Sequence, residues 1–138
     1  MIPPAVFHEV VEQGEGFPVR RNVEAALGEW IRVESVKNQN QEQVEEVCRV
    51  GRLDLGEAEV IVLALGLGAQ RLLLDDQRAV SQARRLGLTV TRTPVIYAEA
   101  KLRGWIPSVR EKLEALRRQG FRLKPSDYRL VLAKLGEL

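Results

Sequence analysis

Leu53-Asp-Leu-Gly-Glu-Ala-Glu-Val-Ile-Val-Leu-Ala-Leu65, followed by Arg71-Leu-Leu-Leu-Asp-Asp76, is the stretch that decides the fold. Asp54 with an acid three residues later, Glu57, has the spacing of a capping box, which predicts a helix start. The run AEVIVLALGLG that follows has almost no polar face, so this helix is expected to be buried on most sides. Residues 71–75 hold a short apolar run that ends in Asp75, with Asp76 directly after it, and predict a buried strand. Gln77 to Leu86 returns to helical spacing through Ala79, Val80 and Ala83, and 88–91 after Gly87 predicts another strand. Pro94 opens a further helix that Gly104 closes. Helix and strand thus alternate from 43 to 101, which predicts βαβ crossovers and a parallel sheet covered by helices, an α/β fold.

On the N-terminal side, Pro3-Pro4-Ala-Val-Phe-His-Glu-Val-Val11 predicts a helix opening on proline, with Gly14 just past its end, and a second helix is expected over 19–29. Residues 30–36 alternate apolar and polar and predict an edge or half-buried strand. A polar start at Asn38 leads into a helix through Val44, Val47, Cys48 and Val50, ended by Gly51. Toward the C-terminus, helices are expected over 108–119 and 125–135. Three strands beside about seven helices leave several amphipathic faces without a sheet to cover them, so a central element is expected to be missing. The division expected is an α/β domain over 1–107, incomplete at its N-terminus, and a helical extension over 108–138 packed on the same domain.

At 138 residues with 45% hydrophobic and 29% charged residues, the chain is sized and composed for one folded domain. The single cysteine, Cys48, excludes an internal disulfide and a multi-cysteine zinc site and is expected as a small buried side chain. No apolar run is long enough to span a membrane and the first residues do not form a secretory leader, so a cytoplasmic protein is expected. Of 21 basic residues 16 are arginine. Arginine forks suit phosphate, and equally suit surface ion pairs. His8 is the lone histidine, and there is no G-x-S-x-G and no dinucleotide fingerprint after a strand, which argues against nucleophilic and nucleotide-cofactor chemistry. The aromatics Trp30, Trp105, Tyr97, Tyr128, Phe7, Phe17 and Phe121 are too dispersed for a base-stacking platform and read mostly as packing residues.

The acids carry more information. Asp75 and Asp76 follow a strand at the end of the sheet where ligands gather in open α/β folds. Glu57 and Glu59 lie in the first turn of the buried helix, and Glu9 lies on the first helix. Carboxylates converging on one cavity require a cation, and an all-oxygen set selects Mg²⁺ or Mn²⁺. Each acid also has a structural explanation. Asp54 and Glu57 make a capping box, Glu59 suits the helix dipole, Asp75 or Asp76 caps the next helix, and Glu9 is a solvated helix residue.

The segments 53–64, Leu72-Leu-Leu-Asp-Asp76 and Gly87-Leu-Thr-Val-Thr91, with Ala100-Lys101, Gly120-Phe-Arg-Leu123 and Gly136-Glu137, resemble the PIN-domain family. The likeness is to a bacterial and archaeal subfamily described as predicted nucleic-acid-binding proteins and related to the VapC-type toxins. It implies a three-layer α/β/α sandwich with a short parallel sheet that cleaves RNA using Mg²⁺ or Mn²⁺, in the manner of a toxin with an antitoxin protein as partner. Glu9, Glu57 and Asp75 or Asp76 match the family's catalytic and metal-binding acids, with Glu59 a weaker match. Members of the family begin with a strand bearing an Asp-Thr-Ser motif and a helix, whereas this sequence starts at the segment that follows them; an N-terminally truncated fold lacking the first catalytic aspartate is therefore expected. Thr91-Arg-Thr-Pro94 also departs from the glycine found between the threonines of relatives. The alternative is a catalytically inactive PIN-like module that binds nucleic acid or a partner protein, and the unfilled sheet leads us to expect a homodimer or larger homo-oligomer.

Overall fold

Helices form where apolar spacing, prolines and caps place them, and the computed structural model describes residues 1–14, 16 and 18–138. The order is α1 (Pro4–Phe7), a π-helical turn (His8–Glu12), α2 (Pro18–Ala26), a 3-10 turn (Asn38–Asn40), α3 (Gln41–Gly51), α4 (Leu55–Leu67), β1 (Leu72–Leu73), α5 (Gln77–Arg85), β2 (Val90–Thr91), α6 (Thr93–Leu102), α7 (Val109–Arg118) and α8 (Pro125–Lys134). Contacts group these into two units, Met1–Val90 and Thr91–Leu138.

In the first unit α4 is the central element. Ile61, Val62, Leu63 and Ala64 are buried against Val44 and Val47 of α3, Ala79, Val80 and Ala83 of α5, and Leu72 beside them. A helix this apolar is stable only when neighbours cover it on several sides, and α3, α5 and β1 all pack on it. β1 and β2 form a short parallel sheet, anchored by the Leu72 amide donating to the Thr89 carbonyl at 3.0 Å. The βαβ alternation therefore yields the expected α/β fold class.

Two local expectations are corrected. Residues 30–36 do not form a strand: among the described residues their pairing consists of two isolated parallel bridges, one between Leu27 and Ile31 and one between Ile2 and Val33, the latter made by Ile2 N–H to Arg32 O and Glu34 N–H to Ile2 O, both 2.9 Å. Alternation alone does not make a strand when only one of its faces finds a partner, and Trp30 at its start is 76% exposed. Trp105 is 70% exposed as well, beneath the Arg103 guanidinium 5.1 Å from its ring centroid, so neither tryptophan is a packing residue. Phe17 lies outside the described residues. Cys48 is half-buried, and its Sγ–H points to the Asp54 carbonyl at 3.7 Å.

Gly14 ends the first helical segment for a steric reason. A Cβ there would stand 2.0 Å from the carbonyl oxygen of Val10. Gly14→Ala is accordingly expected to lower the stability of the Met1–Val90 unit by about 2–3 kcal/mol, the upper range of overpacking. Urea denaturation checks this, and an unchanged midpoint would refute it.

In the second unit Val109, Leu113 and Leu132 are fully buried, with Tyr97, Ile106, Leu123 and Tyr128 packed around them. Glu137 holds this cluster together from outside. Its carboxylate accepts from the amides of Val109 and Arg110 and from the Ser108 hydroxyl, each at 2.9 Å, and pairs with Lys101. The α7 N-terminus, with its unpaired N–H groups and positive dipole end, is thus filled by an acid from 28 residues further along the chain. No described helix is long and apolar enough to cross a membrane.

Candidate acidic site

The α4 N-terminus is built as its sequence predicts. Asp54 Oδ1 accepts from the Glu57 amide at 2.8 Å, and Glu57 Oε2 accepts from the Asp54 amide at 3.2 Å. Asp76 caps α5 in the same manner, its Oδ1 accepting from Arg78 N–H at 2.8 Å and Ala79 N–H at 3.0 Å. Both caps sit at one end of the first unit because β1 runs between the helices they start. Of the acids that resemble catalytic ones, Glu57 and Asp76 are therefore capping residues.

Tertiary packing adds Glu9. It faces the α4 first turn across Gly56, where a Cβ would come within 3.5 Å of Asp54 Oδ1, 3.5 Å of Val6 Cγ2 and 3.8 Å of Glu9 Oε2. A cavity of about 740 Å³ opens here, and Glu9, Asp54, Glu57, Asp75, Asp76 and Arg71 supply its charged lining. Leu72, Leu73 and Leu74 form the β1 wall. The structure thus brings Glu9, Glu57, Asp75 and Asp76 to a single cavity and adds Asp54, which the sequence reading used only as a cap. The signal for Asp54 was available: a residue three positions before Glu57 on the same helix end shares its surroundings.

Glu59 has a different role. Its Oε2 accepts from the Ala5 amide at 3.0 Å, so it ties α1 to α4. It lines the neighbouring cavity of about 580 Å³ with His8 and Gln13. His8 is exposed there and pairs with Glu12 on the same turn.

Burial pushes the Glu57 carboxyl above its ordinary value. The hydrogen bond from the Asp54 backbone pulls it down, and the charges of Asp54, Asp76 and Glu9 push it up again. A carboxyl raised by burial and by the carboxylates that face it is the electrostatic condition a bound cation relieves. In donor chemistry the set fits a hard divalent ion. In placement the side chains stand apart, for among the described residues no three His, Cys, Asp or Glu side chains are close enough to hold a metal.

A short parallel sheet flanked by helices, with carboxylates collected outside the carboxyl end of β1, defines an α/β domain with an acidic cleft. The chain belongs to the PIN-domain family: the family model DUF3368, described as a PIN domain, matches residues 1–137. That membership carries a nuclease-type function in general and nucleic acid as the general class of ligand. No curated protein matches the chain, and no solved structure does.

Proposed function

We propose that the protein is a metal-dependent endoribonuclease whose site is the cavity lined by Glu9, Glu57, Asp75 and Asp76. The observation that carries this reading is the gathering of these acids, remote in sequence, around one opening beside β1. Glu9, Glu57 and the Asp75-Asp76 pair are the residues that would hold Mg²⁺ or Mn²⁺, and the ion, when bound, supplies a water of lowered pKa and charge stabilisation on the phosphate. The protein's own part is to position. The α4 and α5 caps orient Glu57 and Asp76, Gly56 leaves room for Glu9 above the α4 turn, and Leu72 to Leu74 form an apolar wall that limits water on one side. Resemblance alone supports the toxin-like role and an antitoxin partner. Self-association is supported by β1, which among the described residues pairs with a strand on one side only, and by the exposure of its own Leu73.

One observation favours a second reading, a PIN-like module that binds nucleic acid without cleaving it: the described acids do not converge as closely as a formed metal centre requires. Incubating end-labelled RNA with the protein and Mn²⁺, against an EDTA control, separates the two. Fragments that depend on Mn²⁺ are expected. Binding without cleavage at any Mn²⁺ concentration would leave the second reading.

A further inference from the structure

The two units differ sharply in charge. Met1–Val90 contains 10 Lys and Arg against 14 Asp and Glu, a net −4, whereas Thr91–Leu138 contains 11 against 5, a net +6. The acids of the second unit are also largely engaged within it. Glu137 is enclosed by Lys101, Ser108 and the α7 amides, Glu114 accepts from the Tyr128 hydroxyl at 3.0 Å, and Asp127 takes the Ser126 hydroxyl. What faces solvent is positive. Lys112, Arg117, Arg118, Arg122, Lys124 and Arg129 are all exposed, against Glu111 as the exposed acid on α7.

These cations concentrate where α7 ends and α8 begins, in Arg117-Arg-Gln-Gly-Phe-Arg-Leu-Lys124. Helix-end stabilisation accounts for Arg117 and Arg118 at the α7 C-terminus, but not for Arg122 and Lys124, which lie beyond it. Surface ion pairing does not account for the group either: the side chains of Arg118, Arg122, Lys124 and Arg129 make no hydrogen bond or ion pair among the described residues. Arg117 is held over the Tyr128 ring, 5.2 Å from its centroid, which fixes one guanidinium plane at the surface. Four of the five residues Arg117, Arg118, Arg122, Lys124 and Arg129 are arginine, whose fork binds phosphate oxygens in pairs.

We infer that the α7–α8 junction of the second unit, through Arg117, Arg118, Arg122, Lys124 and Arg129, is a binding surface for the phosphate backbone of single-stranded RNA. This rests on the RNA-directed function proposed above for the choice of RNA, and on charge and exposure for the surface itself. It assigns binding and cleavage to different residues: the net-negative unit that holds the acids repels a polyanion, and a separate cationic surface holds it.

The test uses the full chain in EDTA, where cleavage is silent, with a fluorescein-labelled 20-nucleotide single-stranded RNA as probe. The quadruple variant Arg118→Gln, Arg122→Gln, Lys124→Gln, Arg129→Gln is compared with wild type and with a charge-matched control, Arg21→Gln, Arg49→Gln, Arg84→Gln, Arg85→Gln. Each cation that neutralises a phosphate contributes about 0.7 to the slope of log affinity against log salt for a single strand. The quadruple variant is expected to lower that slope by roughly 3, so that wild type loses roughly 50-fold more affinity than the variant between 50 and 200 mM salt. The control keeps the wild-type slope, and all three chains keep the same melting temperature. Equal losses in both quadruples reduce the effect to net charge and overturn the surface, as does wild-type binding by the first quadruple. A polyglutamate competitor displacing the RNA at equal charge concentration overturns the assignment to nucleic acid. Wild-type chain that binds with the expected slope but never cleaves with Mn²⁺ leaves this surface standing and removes the nuclease reading; cleaving chain whose first quadruple binds normally does the reverse.

Discussion

Asp76→Asn and Glu57→Gln are each expected to leave the protein folded and to reduce Mn²⁺-dependent RNA cleavage by on the order of 100-fold or more. These substitutions separate the capping role of each side chain from the metal-binding role proposed for it. Asparagine caps a helix as well as aspartate does, and its side-chain oxygen accepts the same bonds from Arg78 and Ala79. Glutamine serves at the third helical position of a capping box, so the bond from the Asp54 amide survives. What disappears is charge. If Asp76 and Glu57 only cap helices, cleavage persists at the wild-type rate in both variants, and the proposed site fails.

The same variants carry a pH signature. The Glu57 carboxyl is raised in the folded protein, by burial first and by the neighbouring acids. The folded state therefore binds its proton more readily than the unfolded chain does, and this group favours folding more as pH falls through its raised value. At neutral pH, with no metal present, Glu57→Gln is expected to melt higher than wild type, with the difference closing in acid. Added Mn²⁺ reverses the order, since a cation stabilises the charged site and not the amide. Calorimetry at pH 7 and pH 4, with and without Mn²⁺, reads all of these.

Glu137→Ala is expected to destabilise the Thr91–Leu138 unit by about 2–4 kcal/mol, because it strips partners from two α7 amides, a hydroxyl and an ammonium at once. Burial alone would raise this carboxyl. The Lys101 ammonium, the amides of Val109 and Arg110 and the Ser108 hydroxyl outweigh it and bring it from 4.5 down to about 2. A depressed acid contributes stability that is complete above its unfolded value and is lost as pH falls through the folded one, here between 4.5 and about 2. The span corresponds to ~3 kcal/mol for a side chain that is only 11% exposed. Glu137→Gln is expected to flatten the acid limb of the stability curve, and Glu137→Ala to speed hydrogen exchange of the Val109 and Arg110 amides at neutral pH. Unchanged exchange in Glu137→Ala would show that the α7 N-terminus does not depend on this residue.

The caps were legible before any coordinates because they are local. Asp54 and Glu57 lie three residues apart, and Asp76 directly precedes the helix it caps, so spacing contains the whole interaction. The α4 helix was legible for the same kind of reason: a run from Ala58 to Leu67 with almost no polar face must be covered. Residues 30–36 failed because alternation reports which side chains are apolar and not whether a neighbouring strand exists. Trp30 and Trp105 are exceptions among the aromatics, since aromatic character predicts burial only on average and both stand largely exposed a few residues past a helix end.

The sequence by itself determined the α/β class, the order of the helices, the two acid-capped helix starts and the family to which the chain belongs, since each of these is written in residues a few positions apart. Only the tertiary structure decided that Glu9 faces the α4 turn across Gly56 and that Glu59 is tied to Ala5. It alone showed that Lys101 and Glu137, 36 residues apart, meet at the α7 N-terminus. Those contacts arise when α1 packs on α4 and when α6, α7 and α8 close around Leu113 and Leu132. Spacing along a chain encodes what lies within a turn or two of helix; which distant carboxylates share a cavity depends on how buried apolar faces stack.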